Sequence, residues 1–346
     1  MTALAHETLG DWASTLLERA GASPEAAGAA AESLVDANRR GLDSHGVALL
    51  SFYLPRLASG AVDGRARPEV VADFPAAALV DGRNAPGAFV ARFAVDLCCD
   101  KAVQSGAAVV VVRNSNHFGA TSCYSERAVR RGCVGIAATN CPPGLAPLGA
   151  LGPLLGTNPL AIAAPPGAGG IMPSLDIASS VVAVGRISMA GRAGARLPPG
   201  WAVGADGAPT DDPEEALRGA ALPMGGYKGF GLAFMIDVLA GCLSGAPPSP
   251  WIQADEGSPQ PERAGHFFAA IHVGRFRDER AYAQDLERLV EAVHSAARAP
   301  GIEPFMIPGE RETRTAAARA NEIPFDEATA GLLRSLGEEF GAPFPG

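Results

Sequence analysis

Lysine is almost missing from this chain. Of 28 basic residues only Lys101 and Lys228 are lysine; the rest are arginine. A lysine kept against that bias raises the question whether its position needs a compact ammonium that a planar guanidinium cannot replace. There is no basic excess either, since 37 acidic residues against 28 basic ones leave a net charge of −9. That excludes a general nucleic-acid binder, which needs a basic footprint. No apolar run approaches the roughly 18 residues that span a bilayer. Ala107–Val112 is short, and the run around Phe230–Ile236 stops at Asp237. His6, Glu7 and Asp11 stand where the apolar stretch of an export signal would lie. The six cysteines contain no CxxC pair and form no disulfide framework. The expectation is a reduced, cytoplasmic protein with no membrane contact and no metal site. GxGxxG, Walker A, GxSxG and HExxH motifs are also absent. A dinucleotide would therefore need another source of backbone N–H groups, such as the glycine-rich stretches 149–158 and 225–231.

With 346 residues, 47% of them hydrophobic, the chain has material for a large core and for two domains. The first 60 residues read as helices. Leu9, Trp12, Leu16 and Leu17 share one face, and Ser23-Pro24 opens a second helix that runs to about Arg39. A third is expected from Asp43-Ser44 to Gly60. From residue 69 the pattern changes to short apolar runs between turn residues, with strands at 70–72, 78–80, 107–112, 133–139, 160–164 and 267–272. Helices are expected after Pro86-Gly87, over 121–131 and over 228–243. Residues 191–213 read as a long irregular connection, and 246–265 as a polar loop able to act as lid or tether. Helices over 281–298, 310–319 and 325–340 end the chain. The implied organisation is a mixed α/β (α+β) unit at 69–280 inserted in a helical domain made from 1–68 and 281–346.

Four segments carry chemistry. Asp43-Ser44-His45-Gly46 sits at an expected helix start, where backbone donors favour an anion, although Ser44 would also serve as an ordinary cap. Asn114-Ser115-Asn116-His117-Phe118-Gly119 follows a buried strand, where binding groups of α/β sheets gather. A histidine there suits general acid–base work. Leu222–Gly231 places Lys228 among glycines that admit a phosphate or carboxylate to the backbone. Pro308-Gly309-Glu310 is a turn entering a helix.

Together these segments resemble the malate/L-lactate dehydrogenase family, the non-Rossmann NAD(P)-dependent 2-oxoacid reductases that include sulfolactate and ureidoglycolate dehydrogenases and the ketimine reductases. The matching stretches are GLDSHGVALLSFY (41–53), RNSNHFGATSCY (113–124), TNCPPGLAPLG (139–149), GTNPLAIAAP (156–165), LDIASSVVAVGRI (175–187), LPPGWAVGADGAPTDDPEEAL (197–217), LPMGGYKGFGLAF (222–234), GHFFAAI (265–271) and IPGERE (307–312). They lie in family order and cover almost the whole chain.

The resemblance implies a two-layer α/β cofactor domain inserted in a helical domain, a homodimer, and NAD or NADP as cofactor. It assigns His117 as proton donor and acceptor. Ser44, His45 and Tyr53 line the substrate and nicotinamide pocket, and Cys141, Asp176, Ile177, Ala178, Lys228, Pro308, Gly309 and Glu310 lie along the cofactor. Many members grip the substrate carboxylate with an arginine one turn past SHG; here Leu49 stands there. That points to a 2-hydroxy or 2-oxo acid with a larger or more apolar side chain than malate, its carboxylate taken by Arg56 or by the SHG helix start. A cyclic ketimine such as piperideine- or pyrroline-2-carboxylate is the alternative substrate, and non-catalytic nucleotide binding a third reading. A 2′-phosphate would call on Arg186 or Arg192.

Overall fold

The computed structural model describes residues 2–253 and 260–346. Its centre is a seven-stranded sheet in the order Glu69–Phe74, Ala77–Asp81, Ala107–Ser115, Ala264–His272, Cys133–Thr139, Leu160–Ala163, Ser174–Ile177. Only Ala77–Asp81 and Ala107–Ser115 run parallel; the other neighbours are antiparallel. This is not the doubly wound parallel order of a Rossmann sheet. The β-branched run Val109–Val112 lies near the middle, as its composition demands. Ala264–His272, longer than the run 267–272 suggests, fills the place between the two strongest strands.

Helices Gly87–Ser105 and Ser122–Val129 pack on one face, burying Val90, Ala94, Cys98, Val110, Val112 and Phe268. Strand alternation sends Phe267 to the opposite face, against Leu232, Ile236 and Ala240. Those residues belong to helix Tyr227–Ile236 and the wider π turn Asp237–Cys242 that continues it.

The helical part is built from both ends of the described chain. Leu9, Leu16, Leu34, Leu50 and Leu54 share one core with Ile323, Phe325, Leu333 and Leu336. Thr2–Ala5 and Glu322–Phe325 form a two-stranded antiparallel sheet, a pairing no local pattern announces. Helix Glu279–His294 lies elsewhere, bonded through Ala283 and Glu287 to the loop 167–170 beside the sheet.

Two expectations are corrected. No α-helix starts at Asp43: Asp43–His45 and Val47–Leu49 are separate 3-10 turns, and the helix begins at Leu50. Asn38 is the reason. Its Oδ1 accepts from the Val47 N–H at 2.8 Å and its Nδ2 donates to Asp43 at 2.7 Å, filling the space beside Gly46, where a Cβ would come within 2.2 Å of it. Residues 191–213 are not irregular throughout. Helices Val184–Arg192 and Pro213–Arg218 pack with three two-residue strands, Ala202–Val203, Pro209–Thr210 and Ala220–Ala221, around a small core of Val182, Ile187, Leu197 and Ala216. The middle of the expected lid, 254–259, lies outside the described residues. Among the described residues no helix is long and apolar enough to cross a membrane.

Candidate active site

A cleft of about 730 Å³ opens between the 3-10 turns of the helical part, the strand ends of the sheet and the small 182–201 lobe. His117 stands at its edge. Asn114, at φ +53°, turns the chain off the strand, and Asn116 Nδ2 ties the loop to Asn84 Oδ1 (3.1 Å) and Ala85 O (2.9 Å). Gly87 presses so close that a Cβ there would lie 2.0 Å from Asn116 O, so this glycine sets how near the helix comes to the loop.

The main-chain N–H of His117 donates to Glu262 Oε2 at 2.9 Å, and Nδ1 shares a 2.8 Å hydrogen bond with the Tyr53 hydroxyl. The Gly119 N–H also points at Nδ1, at 3.4 Å. A backbone N–H can only donate, so Nδ1 accepts and the neutral ring carries its proton on Nε2. No protein group among the described residues bonds Nε2. Burial, with His45 and Arg56 nearby, pushes the imidazole down to about 3. Burial first, then Glu262, raises Tyr53, which keeps its proton.

The His45 ring lies nearly parallel to His117, 6.3 Å between centroids and 21° between planes, with Ser44 Oγ 2.9 Å from its Nδ1. Burial lowers its pKa; Asp176 opposes this and Arg186 adds to it. Arg319 grips Asp43 through two bonds of 2.8 and 3.1 Å, fixing the turn that presents both side chains.

Asp176 opens to the cleft, and Ser122 N–H bonds its Oδ2 at 2.8 Å; burial nevertheless raises its carboxyl above the ordinary range. Ile177 and Ala178 follow it along the wall. Cys141 lies on the floor, its N–H held by Asn158 Oδ1 at 3.0 Å. Burial pushes its thiol up to about 12, so it offers a neutral surface rather than a nucleophile. Pro308 and Gly309 line a neighbouring hollow of about 480 Å³ that shares Asp176 with the cleft.

Other expected residues stand elsewhere. Leu49 packs on the helical core and is not among the residues lining the cleft. Arg56, 2% exposed, lies behind His117 rather than in the cleft. Glu310 is engaged by His294 (2.9 Å), Arg314 (2.5 Å) and the Ile307 N–H (3.1 Å), which secures its own loop. Lys228 is exposed at a helix start and Arg192 at a helix end, both outside the cleft lining, whereas Arg186 lines it. Since no α-helix begins at Ser44, that segment supplies no helix-start anion site.

Sequence reasoning passed over Glu262, Asn140 and Trp201. Asn140 joins Asp237 Oδ1, Pro247 O and the Gly265 N–H at 2.9 Å each, locking the floor to the central strand. Its place directly before Cys141 was the available signal.

The cleft has the volume and mixed lining of a cofactor-sized site. Ile177, Val182 and Met224 contribute apolar lining, and His117, His45 and Ser44 contribute polar lining. Among the described residues no group of three or more His, Cys, Asp or Glu side chains is placed to hold a metal ion.

The sequence profile described as malate/L-lactate dehydrogenase matches residues 4–334. The malate dehydrogenase of Pyrococcus horikoshii is 35% identical over 337 residues, covering 94% of this chain and 92% of its own length. The L-sulfolactate dehydrogenase of Methanocaldococcus jannaschii is 34% identical, covering 94% of each. The crystal structure of delta1-piperideine-2-carboxylate reductase from Pseudomonas syringae superposes with a TM-score of 0.87 at 34% identity, covering 97% of this chain and 100% of that one. Other relatives carry NADP(+) or NAD(+) in their names. The chain belongs to the malate/L-lactate dehydrogenase family and is an oxidoreductase.

Proposed function

We propose that this protein transfers a hydride between NAD or NADP and a 2-oxo/2-hydroxy acid, with His117 handling the proton. One observation carries the reading: an imidazole at the cleft edge with Nε2 unbonded among the described residues and Nδ1 backed by the Tyr53 hydroxyl at 2.8 Å. When bound, the nicotinamide supplies or accepts the hydrogen with its electron pair. As a carbonyl is reduced, charge builds on its oxygen, and a proton donor already aimed there lowers the barrier. Nε2–H is that donor. In the reverse direction Nε2 takes the alcohol proton. Ser44 and His45 orient the substrate against it.

Arg186 is assigned the substrate carboxylate. It lines the cleft together with His45 and His117, on a helix that packs against the Asp43–His45 turn, and no ion pair holds it among the described residues. Arg196, the other cation of the cleft, is already engaged by Asp211 and Asp212. With one uncommitted cation, and with Val182, Met189 and Trp201 on the wall, the site suits a side chain more apolar than malate's. Arg186→Met is expected to raise KM for the acid about tenfold or more while cofactor Kd stays within twofold, since a charge-assisted carboxylate contact is worth roughly 1.5–3 kcal/mol. Steady-state kinetics and a fluorescence titration of the reduced dinucleotide measure both. A rise in cofactor Kd alone moves Arg186 to the phosphates.

A cyclic ketimine is the second reading, favoured by the depressed pKa of His117, because an iminium arrives with its proton already in place. A panel of 2-oxo acids and cyclic imines, followed by the near-ultraviolet absorbance of the reduced dinucleotide across pH, separates the two. Oxaloacetate as clearly best substrate defeats the apolar preference. Dinucleotide binding without turnover of any substrate defeats the enzyme reading.

The reading includes a cytoplasmic setting, in keeping with six free cysteines, and a homodimer. The apolar helix Tyr227–Ile236 exposes Tyr227 (74%), Phe234 (53%) and Met235 (52%), and Leu148, Leu151 and Leu243 are exposed as well. Exposed apolar side chains of this size mark a contact surface, here assigned to a second copy. Lys228 on the same helix would then act at the subunit contact. Phe234→Asp is expected to give monomers in sedimentation equilibrium; a dimer unchanged by it places the contact elsewhere.

A further inference from the structure

Behind His117 lies a small chamber of about 30 Å³, room for one or two water molecules at roughly 10–15 Å³ each. Its wall is mostly apolar, but two of the residues lining it carry buried polar atoms, Arg56 Nε, Arg56 Nη1 and Asn116 Oδ1, with no hydrogen-bond partner among the described residues. Arg56 is 2% and Asn116 4% exposed, so these atoms are stranded from bulk solvent. Arg56 is otherwise held by Nη2 to Gln260 O at 3.3 Å and by the Phe52 ring at 5.2 Å. Stranded donors and acceptors around a water-sized space are what a bound water satisfies.

Tyr53, His117 and Glu262 complete the chamber. Glu262, 4% exposed, also borders the cleft and a separate outer hollow of about 530 Å³ beside Pro247, Trp251 and Arg263. It is the residue common to all three spaces. Arg56, Tyr53, Cys141 and His117 surround it; burial raises its carboxyl, and the His117 N–H and the Arg56 charge oppose that rise.

We propose that Glu262, water held by Arg56 and Asn116, and the Tyr53 hydroxyl form a proton relay in which Glu262 lends a proton to the Nδ1 side of His117 and takes it back. This rests on the oxidoreductase reading of the cleft. The need for it is geometric. The resting ring has its proton on Nε2 and accepts at Nδ1 from Tyr53 and Gly119. Giving up Nε2–H alone would leave an imidazolate, and a standing imidazolium is disfavoured by burial beside His45 and Arg56. The path removes both costs. As Nε2–H passes to the substrate oxygen, the Tyr53 O–H proton moves to Nδ1, water replaces the proton on Tyr53, and the Glu262 carboxyl replaces the proton on water. After product leaves, Nε2 takes a proton from cleft solvent, and the Nδ1 proton returns along the chain to Glu262. One solvent proton is consumed per turnover.

The test compares wild type with Glu262→Gln, Glu262→Asp and Tyr53→Phe in reduction of the best 2-oxo acid of the panel, in mixtures of H2O and D2O. Glutamine keeps an oxygen for the His117 N–H but cannot pass a proton. Wild type is expected to give a curved proton inventory. Glu262→Gln is expected to lower kcat at least about tenfold with KM within about twofold, and to straighten the inventory, as general acid help is worth roughly 10²–10⁴-fold. Glu262→Asp restores part of kcat. Tyr53→Phe straightens the inventory even if the glutamine variant does not fold. A wild type with a linear inventory overturns the path, as does an unchanged kcat in Glu262→Gln or a curved inventory in Tyr53→Phe. A wild type inert toward the whole panel overturns the oxidoreductase reading and the path together.

Discussion

Replacing His117 with alanine is expected to lower turnover by about 10²–10⁴-fold, the range for a positioned acid–base group, with dinucleotide affinity largely kept. The separation follows from the wall. Ile177, Val182 and Met224, the apolar part of the cleft lining, sit on segments remote from His117 in the chain, so losing the imidazole leaves them in place. The loop also survives, because Glu262 holds the main-chain N–H of residue 117 and Asn116 ties to Asn84 and Ala85. The missing part is the ring between the Tyr53 hydroxyl and the cleft. Single-turnover kinetics and a fluorescence titration of the reduced dinucleotide measure the two effects. Undiminished turnover removes His117 from the role.

Replacing Arg40 with methionine is expected to destabilise the fold by about 3–5 kcal/mol, the cost of breaking a buried ion pair from one side. Arg40 is 7% exposed, and its Nη2 meets Glu126 Oε1 at 2.5 Å; Ser174 Oγ donates to the same oxygen at 2.5 Å. The pair joins the end of helix Pro24–Arg39 to helix Ser122–Val129 and to the strand that carries Asp176. Without the guanidinium, Glu126 keeps a buried charge or takes up a proton. Burial already raises its pKa, and Arg40 is the largest influence holding it down. In the variant the folded-state pKa rises further above the unfolded value, so the deficit is full at high pH and shrinks as pH falls through the folded pKa. Urea unfolding at neutral and mildly acidic pH checks size and sign. Arg40→Met with Glu126→Leu is expected to recover much of the loss, because no unpaired charge is left inside. A single variant as stable as wild type shows that the carboxylate finds water.

What could be read from the sequence follows the range of each cause. The run Val109–Val112 is buried because its own side chains demand it, so the strand and the polar loop ending in His117 were visible. The family resemblance named Tyr53 and His117 together, but their 2.8 Å contact joins residues 64 positions apart and needs the fold. Asp43-Ser44 carries good helix-start chemistry and still forms a 3-10 turn, because Asn38 intervenes from the preceding helix. The strands at 202–203, 209–210 and 220–221 are too short to show a period. The resemblance led to the expectation of a substrate-facing side chain at Leu49, yet an aliphatic chain gains more by packing with Leu50 and Leu54 against the core. Glu262 had no pattern around it; only three cavities meeting at one carboxyl bring it out.

Thr2–Ala5 pairs with Glu322–Phe325, and Arg319 just before that strand secures the turn bearing Ser44 and His45. During synthesis the early strand leaves the ribosome with no partner until the entire sheet has followed it. The sheet can collapse on its own helices meanwhile, but the facing wall must wait for the late segment. Chains interrupted upstream of residue 319 would thus hold His117 opposite an unanchored Ser44–His45 turn, and full activity arrives only with completed polypeptides.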